Sequence, residues 1–349
     1  MKNISAYAAQ SSDAHLKPFD IERRNVNQDD IELEIEYCGV CHSDIHQVRD
    51  DWGNTKYPVV PGHEIVGRVA ETGANVSNFS EGDLVGVGYM VDSCQHCEQC
   101  ENDLEQFCEN GAVMTYNGQD EHLDGHTFGG YSEKMVVDKE FVLNIPENID
   151  ANAAAPLLCA GITTWSPLSH WNVGEDDKVG IVGLGGLGHM GVKFADALGA
   201  EVVMISRSPE KADDAKRLGA DEVLISTDDE QMEQHAGSFD FLLNTIPVGH
   251  DIDPYINLLT VDGTMVLVGA LEDLDEFNGG GLIMGRKRVA GSIIGGIKET
   301  QEMLNFCGEN DITCDVEMID IQNINEAFER VVDSDVKYRF VIDMQSLKN

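Results

Sequence analysis

Four cysteines lie close together in one short polar segment of the chain. Cys94, Cys97, Cys100 and Cys108 follow the pattern C-x2-C-x2-C-x7-C. Four thiolates at this spacing can close a tetrahedron around one zinc ion and leave no position for a substrate. An iron–sulfur cluster is the alternative, but its fourth cysteine comes three residues later and precedes proline. The spacing therefore favours structural zinc over a cluster or four unrelated free thiols.

A second set of metal-ligand residues is spread more widely along the chain. Cys41, His63 and Cys159 are two cysteines and one histidine, a set that catalytic zinc sites use while keeping the fourth position open. Spacing alone does not select these three residues, because a single Cys or His is more often a packed core residue. Asp44 and Glu64 could accept the free ring N–H of the ligand histidine, or belong to a general acidic surplus.

A hydroxyl and an imidazole follow Cys41 closely. A zinc-held alcohol needs a route for its proton, and Ser43 with His46 could provide one. The alternative is that Ser43 caps a helix and that His46 is an ordinary surface residue.

A glycine loop follows an apolar run in the second half of the chain. The predicted strand Lys178–Val182 leads directly into G-x-G-x-x-G, formed by Gly183, Gly185, Gly186, Leu187 and Gly188 with Leu184. Between a strand and a helix, this motif lets a pyrophosphate approach the helix N-terminus closely. We therefore predict a dinucleotide site here, with a glycine-rich packing turn as the alternative.

The residues after the next predicted strand indicate which dinucleotide binds. An NAD site would place a carboxylate there, but the chain has Ser206, Arg207, Ser208 and Lys211. Arg and Lys can neutralise a 2′-phosphate, and serine can hydrogen-bond to it without repulsion. The predicted cofactor is NADP(H); the alternative is a helix start with solvated basic residues.

Two different patterns of secondary structure must position these residues. The first half is β-rich, with predicted strands at residues 31–37, 59–71, 83–91 and 131–137. From residue 151 strands and helices alternate, which predicts a doubly wound parallel sheet. The predicted strands are Lys178–Val182, 201–205, Glu222–Ile225, Phe239–Asn244 and 264–268, and the helices are 188–198 and 209–218. A helix and a strand in residues 324–342 are expected to return to the first domain.

Length and charge limit the classes of function. The 349 residues suggest two domains, and 42% hydrophobic residues argue against disorder. A formal net charge of −40 excludes a general nucleic-acid binder and a polybasic membrane-surface protein. The first 30 residues hold no apolar leader, so we expect a cytoplasmic protein in which cysteines bind metal rather than form disulfides. The acidic excess suggests a surface adapted to salt or cold; 9 Pro beside 35 Gly slightly favour cold.

Taken together, these motifs resemble the zinc-dependent medium-chain alcohol dehydrogenases over essentially the whole chain. The similarity is greatest to the cinnamyl-alcohol-dehydrogenase branch, with its bacterial NADP-dependent aldehyde reductases. The stretches that carry it are residues 38–44 (CGVCHSD), 60–64 (VPGHE), 158–163 (LCAGIT), 285–287 (GRK) and 291–295 (GSIIG). The resemblance implies an α/β protein: a GroES-like catalytic domain at residues 1–153 and 293–349, and a Rossmann domain at residues 154–292.

The resemblance also implies roles for matching residues. Cys41, His63 and Cys159 would bind the catalytic zinc, with Glu64 an occasional further ligand, and the four clustered cysteines would bind a structural zinc. Ser43 and His46 would relay the proton. Ser206, Ser208 and Lys211 would hold the 2′-phosphate, and Arg207 replaces a residue that is often a serine or threonine in this branch. Further residues would line the cofactor (Thr163, Thr245, Gly269, Ser292, Ile294) or the substrate pocket (Trp52, Trp165).

The predicted function is reversible hydride transfer between NADP(H) and a primary alcohol–aldehyde pair, with two zinc ions per chain. A polyol or sugar-alcohol dehydrogenase of the same superfamily is the alternative enzyme. The alternative from another class is a zinc-stabilised nucleotide-binding protein without catalysis, which would be expected to lack a ligand or relay residue. The resemblance further implies a homodimer formed through the Rossmann domains, near residues 279–296.

Overall fold

The chain divides into two compact units, as seen in a computed structural model that describes residues 1–119, 122, 125–269 and 272–348. Unit 1 comprises Met1–Cys159 with Gly295–Asn349, and unit 2 is Ala160–Ile294. The predicted domain boundaries lie a few residues earlier, after residues 153 and 292. Among the described residues, no helix combines the length and the apolar character needed to cross a membrane.

The strands, in chain order, are β1 (Lys2–Ala8), β2 (Lys17–Arg23), β3 (Asp30–Gly39), β4 (Ile65–Thr72), β5 (Leu84–Val87), β6 (Met90–Asp92), β7 (Val113–Met114), β8 (Lys134–Asp138), β9 (Leu143–Asn144), β10 (Lys178–Val182), β11 (Glu201–Ser206), β12 (Glu222–Ile225), β13 (Phe239–Asn244), β14 (Leu259–Leu267), β15 (Arg288–Gly291), β16 (Val316–Asp320) and β17 (Arg339–Asp343). The α-helices are α1 (His42–Arg49), α2 (Glu98–Glu101), α3 (Ala151–Ala154), α4 (Ala160–His170), α5 (Gly188–Ala197), α6 (Ala212–Arg217), α7 (Asp229–Gln234), α8 (Asp253–Leu258), α9 (Gly279–Gly285), α10 (Ile297–Glu309) and α11 (Ile324–Val332).

Unit 1 is built on a mixed seven-stranded sheet. The strand order is β16-β17-β3-β4-β5-β9, and β8 also pairs with β3. The strand β17, from the end of the chain, lies beside β3 in antiparallel register. Ile31, Leu33 and Ile35 of β3 are buried, as the alternating pattern predicted. Glu32 is buried as well, because Lys2 reaches its carboxylate at 2.7 Å.

Unit 2 is a six-stranded parallel sheet with the order β12-β11-β10-β13-β14-β15. The chain builds outward from β10 in one direction and then continues from β13 in the other. The order therefore reverses between these two strands, and dinucleotides bind at the carboxyl ends of strands at such a switch point. The predicted doubly wound sheet is confirmed.

Several predicted elements differ from the structure. The predicted strand 264–268 begins earlier, as β14 (Leu259–Leu267), and the predicted strand 131–137 begins later, as β8 (Lys134–Asp138). The predicted strand 59–71 begins only at Ile65, because residues 61–64 form a loop whose backbone and side chains face Asp44. The predicted strand 83–91 is divided into β5 and β6, and between them Tyr89 turns towards His63. The predicted helix 209–218 opens with a 3-10 turn at Pro209–Lys211 before α6 begins. The predictions missed α10, which follows unit 2 directly.

Candidate active site

One group of metal-ligand atoms lies inside unit 1. The donor atoms of Cys41, His63, Glu64 and Cys159 all lie within 4.8 Å of one another, and all four residues are buried. The two sulfur atoms, Cys41 Sγ and Cys159 Sγ, are 3.9 Å apart. Two thiolates bound to one tetrahedral zinc at ordinary bond lengths would lie about 3.8 Å apart. The donor set and its spacing therefore fit a zinc ion.

Asp44 fixes the orientation of this group from behind. Its Oδ2 accepts the backbone N–H of Cys41 at 2.8 Å, and its Oδ1 accepts that of Gly62 at 3.0 Å. The same Oδ1 lies 3.0 Å from His63 Nδ1. The Asp44 carboxylate therefore holds the proton of His63 at Nδ1. The other ring nitrogen, Nε2, is buried without a hydrogen-bond partner among the described residues, as a metal-ligand atom would be.

Electrostatic interactions in this group favour the charged forms of His63 and Cys41. Burial lowers the pKa of His63, but the Asp44 carboxylate and the adjacent Cys41 together outweigh that effect, and the pKa rises to about 9. Hydrogen bonding from Cys159 holds the pKa of the Cys41 thiol well below its usual range, although burial acts in the opposite direction. The Cys41 thiolate is the form of that residue that binds zinc, whereas His63 must first release the proton on Nε2.

Arg339 is a member of the site that the sequence analysis missed. Its guanidinium, on β17, donates a hydrogen bond to Glu64 Oε1, and both side chains are buried. Glu64 is therefore paired with Arg339, and among the described residues it is Asp44 that accepts the N–H of His63. The other carboxylate oxygen, Glu64 Oε2, has no hydrogen-bond partner among the described residues. The available signal was a lone arginine in the otherwise apolar and aromatic run of residues 338–342.

Two tyrosines that the sequence did not single out surround the imidazole. Tyr89 meets His63 edge-on, with ring centroids 5.1 Å apart, and Tyr116 lies at 5.7 Å. Burial raises the pKa of Tyr89 to about 12, with the nearby Cys159 and Cys41 adding to the effect, so it stays neutral. No spacing in the sequence marks these rings, because their contact depends on loops that meet only in the folded unit.

The predicted relay residues lie on α1, directly after Cys41. Ser43 and His46 are three residues apart and therefore share one face of the helix. His46 Nδ1 lies 2.8 Å from Asp51 Oδ2. Trp52, predicted as a pocket wall, lies beside His46 with ring centroids 5.8 Å apart. Ser43, His46 and Trp52 are thus gathered around one helix.

The four clustered cysteines form a separate closed group in unit 1. Their sulfur atoms lie within 4.8 Å of one another, and the adjacent pairs Cys97–Cys100 and Cys94–Cys100 are 3.4 and 3.9 Å apart. Glu109 N donates to Cys97 Sγ at 3.4 Å, as backbone amides do around metal thiolates. None of the nine cysteines of the chain forms a disulfide. Four sulfur donors at these distances fit tetrahedral zinc.

The predicted dinucleotide loop lies at the switch point of unit 2. Gly183 has φ +94°, a conformation that favours glycine, and a Cβ on Gly188 would lie 1.8 Å from Gly183 O. Thr245, after β13, donates through Oγ1 to Val182 O at 2.8 Å. The loop and the end of β13 are therefore bound together. The predicted loop residues Gly185, Gly186 and Leu187 lie in the same turn before α5.

The predicted phosphate residues lie at the end of the neighbouring strand β11. Ser206 Oγ accepts the N–H of Ser208 at 3.1 Å. Lys211 Nζ donates to Leu184 O, in the glycine loop, at 2.9 Å. Arg207 is exposed beside them. The structure thus brings two serines and two basic side chains together next to the glycine loop.

Only some of the remaining predicted residues lie near the glycine loop and the end of β13. Gly269 packs against the carbonyl group of Thr245, and Ser292 N donates to Leu267 O, at the end of β14, at 3.2 Å. Ile294 is the last residue of unit 2. Thr163 and Trp165 lie on α4, where Trp165 packs edge-on against Phe194 with ring centroids 5.4 Å apart.

Comparison with known proteins identifies the family. The model of the alcohol dehydrogenase GroES-like domain matches residues 27–147, and that of the zinc-binding dehydrogenases matches residues 186–309. Similarity to a relative over 99% of the chain extends these matches across both units. The chain belongs to the zinc-dependent alcohol dehydrogenases, so the predicted family, fold class and enzyme class are confirmed.

The particular relatives lie in one branch of that family. The chain is 54% identical to aldehyde reductase YahK of Escherichia coli over 349 residues, which covers 99% of each protein. A cinnamyl alcohol dehydrogenase of Sorghum bicolor matches with a TM-score of 0.95 and 44% identity, covering 99% of this chain and 98% of that one. The CAD protein of Helicobacter pylori, complexed with NADP(H), matches with 0.92 and 40%, covering 98% of each.

Proposed function

We propose that the chain is an NADP(H)-dependent alcohol dehydrogenase that interconverts a primary alcohol and its aldehyde. The observation that carries this proposal is the convergence of Cys41, His63 and Cys159 with one imidazole nitrogen left for a metal. Zinc held by these residues would supply a Lewis acid for the substrate oxygen, and NADP(H) would supply or accept the hydride. Cys94, Cys97, Cys100 and Cys108 would hold a second zinc that supports the fold.

The chain's own residues would handle the proton. Ser43 Oγ would accept the proton of the substrate hydroxyl and pass it towards His46. His46 Nδ1 is hydrogen-bonded to Asp51, which leaves Nε2 to receive that proton and release it to solvent. Asp44 would hold His63 in one tautomer throughout, so that the ligand imidazole takes no part in the transfer.

The preference for NADP(H) is proposed from the residues after β11. Where an NAD site would carry a carboxylate, this chain has Ser206, Arg207 and Ser208, with Lys211 nearby. The chain has only 23 basic residues, so two at this turn would give a locally positive site in a strongly acidic protein. With NADPH as reductant, aldehyde reduction is the direction proposed in the cell.

Initial rates with a panel of substrates test this function. We expect benzaldehyde, cinnamaldehyde and aliphatic aldehydes to be reduced with NADPH, and kcat/KM with NADH to be much lower. Mannitol or sorbitol oxidised faster than any primary alcohol would favour the polyol alternative. Equal or better efficiency with NADH would contradict the cofactor assignment.

A variant and its matched control test the metal site. Cys41→Ala should lose activity and one of two zinc ions per chain, whereas Cys314→Ala should keep both. A Cys41→Ala protein with full zinc and full activity would contradict the scheme. One zinc per wild-type chain would instead favour the non-catalytic alternative.

A homodimer is proposed from the outer edge of unit 2. The edge strand β15 has β14 as its one neighbour in the described sheet. Apolar side chains are exposed on this unit: Val261 is 69% exposed, Ile283 80% and Met284 88%. A second copy of the chain would pair the strand edge and cover these side chains.

The cysteines and the surface charge support a proposed cytoplasmic setting. Nine cysteines without a disulfide, six of them in the two metal-type groups, suit the reducing cytoplasm. The acidic excess of 63 against 23 residues would repel itself at low ionic strength and be screened by salt. Activity and melting temperature should therefore change with molar KCl, or activity should persist near 0 °C. A protein that shows neither dependence would contradict the proposed adaptation.

A further inference from the structure

Asn244 is a buried polar residue at the point where the strand order of unit 2 reverses. It is the last residue of β13, paired in register with Val182 of β10 and Leu267 of β14, and its side chain is 1% exposed. Its backbone oxygen accepts the N–H of Val268 at 3.0 Å. Asn244 is therefore joined to the ends of both neighbouring strands, where a dinucleotide would bind.

The side chain of Asn244 joins the two ends of the turn that follows. Oδ1 accepts the N–H of Ile246 at 3.1 Å, and Nδ2 lies 2.9 Å from His250 Nε2. Ile246 in turn packs next to Gly183 of the glycine loop, and Thr245 donates to Val182 O. We define the β13 turn as residues 245–250. Asn244 and His250 close this turn against the loop that would receive the pyrophosphate.

The hydrogen bonds allow only one protonation state of His250. Because Asn244 Oδ1 faces an N–H donor, its amide NH2 must face His250, and Nε2 must accept. His250 Nδ1 lies 2.8 Å from the carbonyl oxygen of Val248, which can only accept, so Nδ1 carries the proton. A second proton on Nε2 would place two donors against each other. The closed turn therefore requires neutral His250.

We propose that His250, acting through Asn244, positions the β13 turn for the dinucleotide and releases it when the imidazole is protonated. His250 is a positioning residue in this role, because it contacts the turn rather than the cofactor. The inference rests on the proposed NADP(H) function. It adds a residue that holds the β13 turn against the glycine loop, which neither the glycine motif nor the basic residues do.

Charged and titratable groups lie around His250 and the turn that it closes. Asp251 follows it in the chain, and Glu272 Oε2 accepts the N–H of Gly249 at 3.1 Å. Tyr255 of α8 packs edge-on to the imidazole with ring centroids 6.0 Å apart, and Arg207 acts electrostatically on Tyr255.

Dinucleotide binding by the full-length zinc-loaded protein tests the positioning role. In His250→Ala the dissociation constant for NADPH should rise about 3- to 10-fold, the loss expected for one neutral hydrogen bond. The KM for NADPH should rise with it, while kcat at saturating NADPH changes less than twofold. His250→Gln should restore wild-type binding, because its Oε1 can accept from Asn244 and its Nε2 can donate to Val248.

The pH profile separates this role from simple support of the fold. NADH is the probe, because it lacks a 2′-phosphate that would titrate in the same range. Between pH 7.5 and 5.5 the wild-type dissociation constant should rise by a similar factor, while that of His250→Gln stays flat. His235→Gln, a control at a half-buried histidine that pairs with Glu222 at 3.2 Å, should behave as wild type.

The outcomes distinguish this inference from the function on which it rests. Wild-type binding by His250→Ala at every pH would overturn the inference and leave NADP(H) binding intact. A His250→Gln protein that behaves like His250→Ala would also overturn it. A wild-type protein that binds neither dinucleotide would overturn the proposed function and the inference together.

Discussion

The Asp44 carboxylate lies 3.0 Å from His63 Nδ1, and both side chains are fully buried. This pair links the proposed zinc ligand to the backbone of the Cys41 and Gly62 segments, because the same carboxylate accepts both N–H groups. The orientation of His63 relative to Cys41 is therefore set by the single carboxylate of Asp44.

Replacing Asp44 should release metal from one site only. Asp44→Asn keeps the shape of the side chain but weakens the bond to His63, and such changes typically reduce metal affinity or activity about 10- to 100-fold. Metal analysis after dialysis against a mild chelator should show one zinc lost and the four-cysteine zinc kept. The exposed Asp13→Asn is the matched control. Retention of both zinc ions by Asp44→Asn would contradict the assigned role.

Zinc uptake by metal-free protein should depend on the His63 proton. The pKa of His63 is raised to about 9, so in the folded protein the ring is protonated at pH 7, and zinc must displace that proton. Protonation stabilises the metal-free fold fully below about pH 6.5, and this contribution is lost as the pH rises through about 9.

Titration against a chromophoric chelator from pH 6.5 to 9.5 measures this effect. His63 should add about a tenfold gain in zinc affinity per pH unit to the contribution of the thiols. In Asp44→Asn the imidazole should lose its proton near its ordinary pKa, and the slope should become smaller. Equal slopes in the two proteins would show that His63 is not the displaced acid.

Arg207 should discriminate between the two dinucleotides. It is exposed after β11, and loss of a charged hydrogen-bond donor typically weakens binding about 10-fold or more. In Arg207→Ala the KM for NADPH should rise by about that factor, while the KM for NADH changes less than twofold. Arg217→Ala, on α6, removes the same charge from the same unit and should leave both values unchanged. A parallel loss with both cofactors would remove Arg207 from the phosphate site.

The exposed apolar side chains of unit 2, among them Ile283 and Met284, should determine whether the protein is a dimer in solution. We expect sedimentation at about twice the chain mass of 38.2 kDa. The double variant Ile283→Asp, Met284→Asp should sediment as a single chain, because buried carboxylates across such an edge are costly. Met318→Asp, at a half-exposed methionine of unit 1, is the control. A wild-type protein of 38.2 kDa would contradict the proposed dimer.

Local sequence patterns predicted correctly the strands that are buried on both faces of the sheet. The strands Lys178–Val182 and Phe239–Asn244 are confirmed with their predicted limits, because most of their residues are apolar and buried and each run stops at a Gly or an Asn. The segment at residues 59–64 has the same apolar start, but Asp44 binds its backbone, so the strand begins later. There the tertiary contact outweighs the local preference.

The grouping of metal-ligand residues could be predicted from spacing in one case and from family resemblance in the other. Both zinc-type groups contain the residues that spacing and family resemblance selected. Arg339 was missed because its partner Glu64 lies 275 positions away and is reached only when β17 joins the sheet. The same applies to His250, whose importance depends on an amide orientation that no spacing encodes.

The interrupted course of unit 1 through the chain has a consequence for its synthesis. Unit 2 is continuous, whereas unit 1 is completed by residues 295–349, including the strand that lies beside β3 and carries the partner of Glu64. During translation the ribosome therefore releases all of unit 2 before unit 1 can close. Until then the first 159 residues lack β17 beside β3, and Glu64 lacks Arg339. Unit 2, although synthesised later, can therefore complete its fold before unit 1.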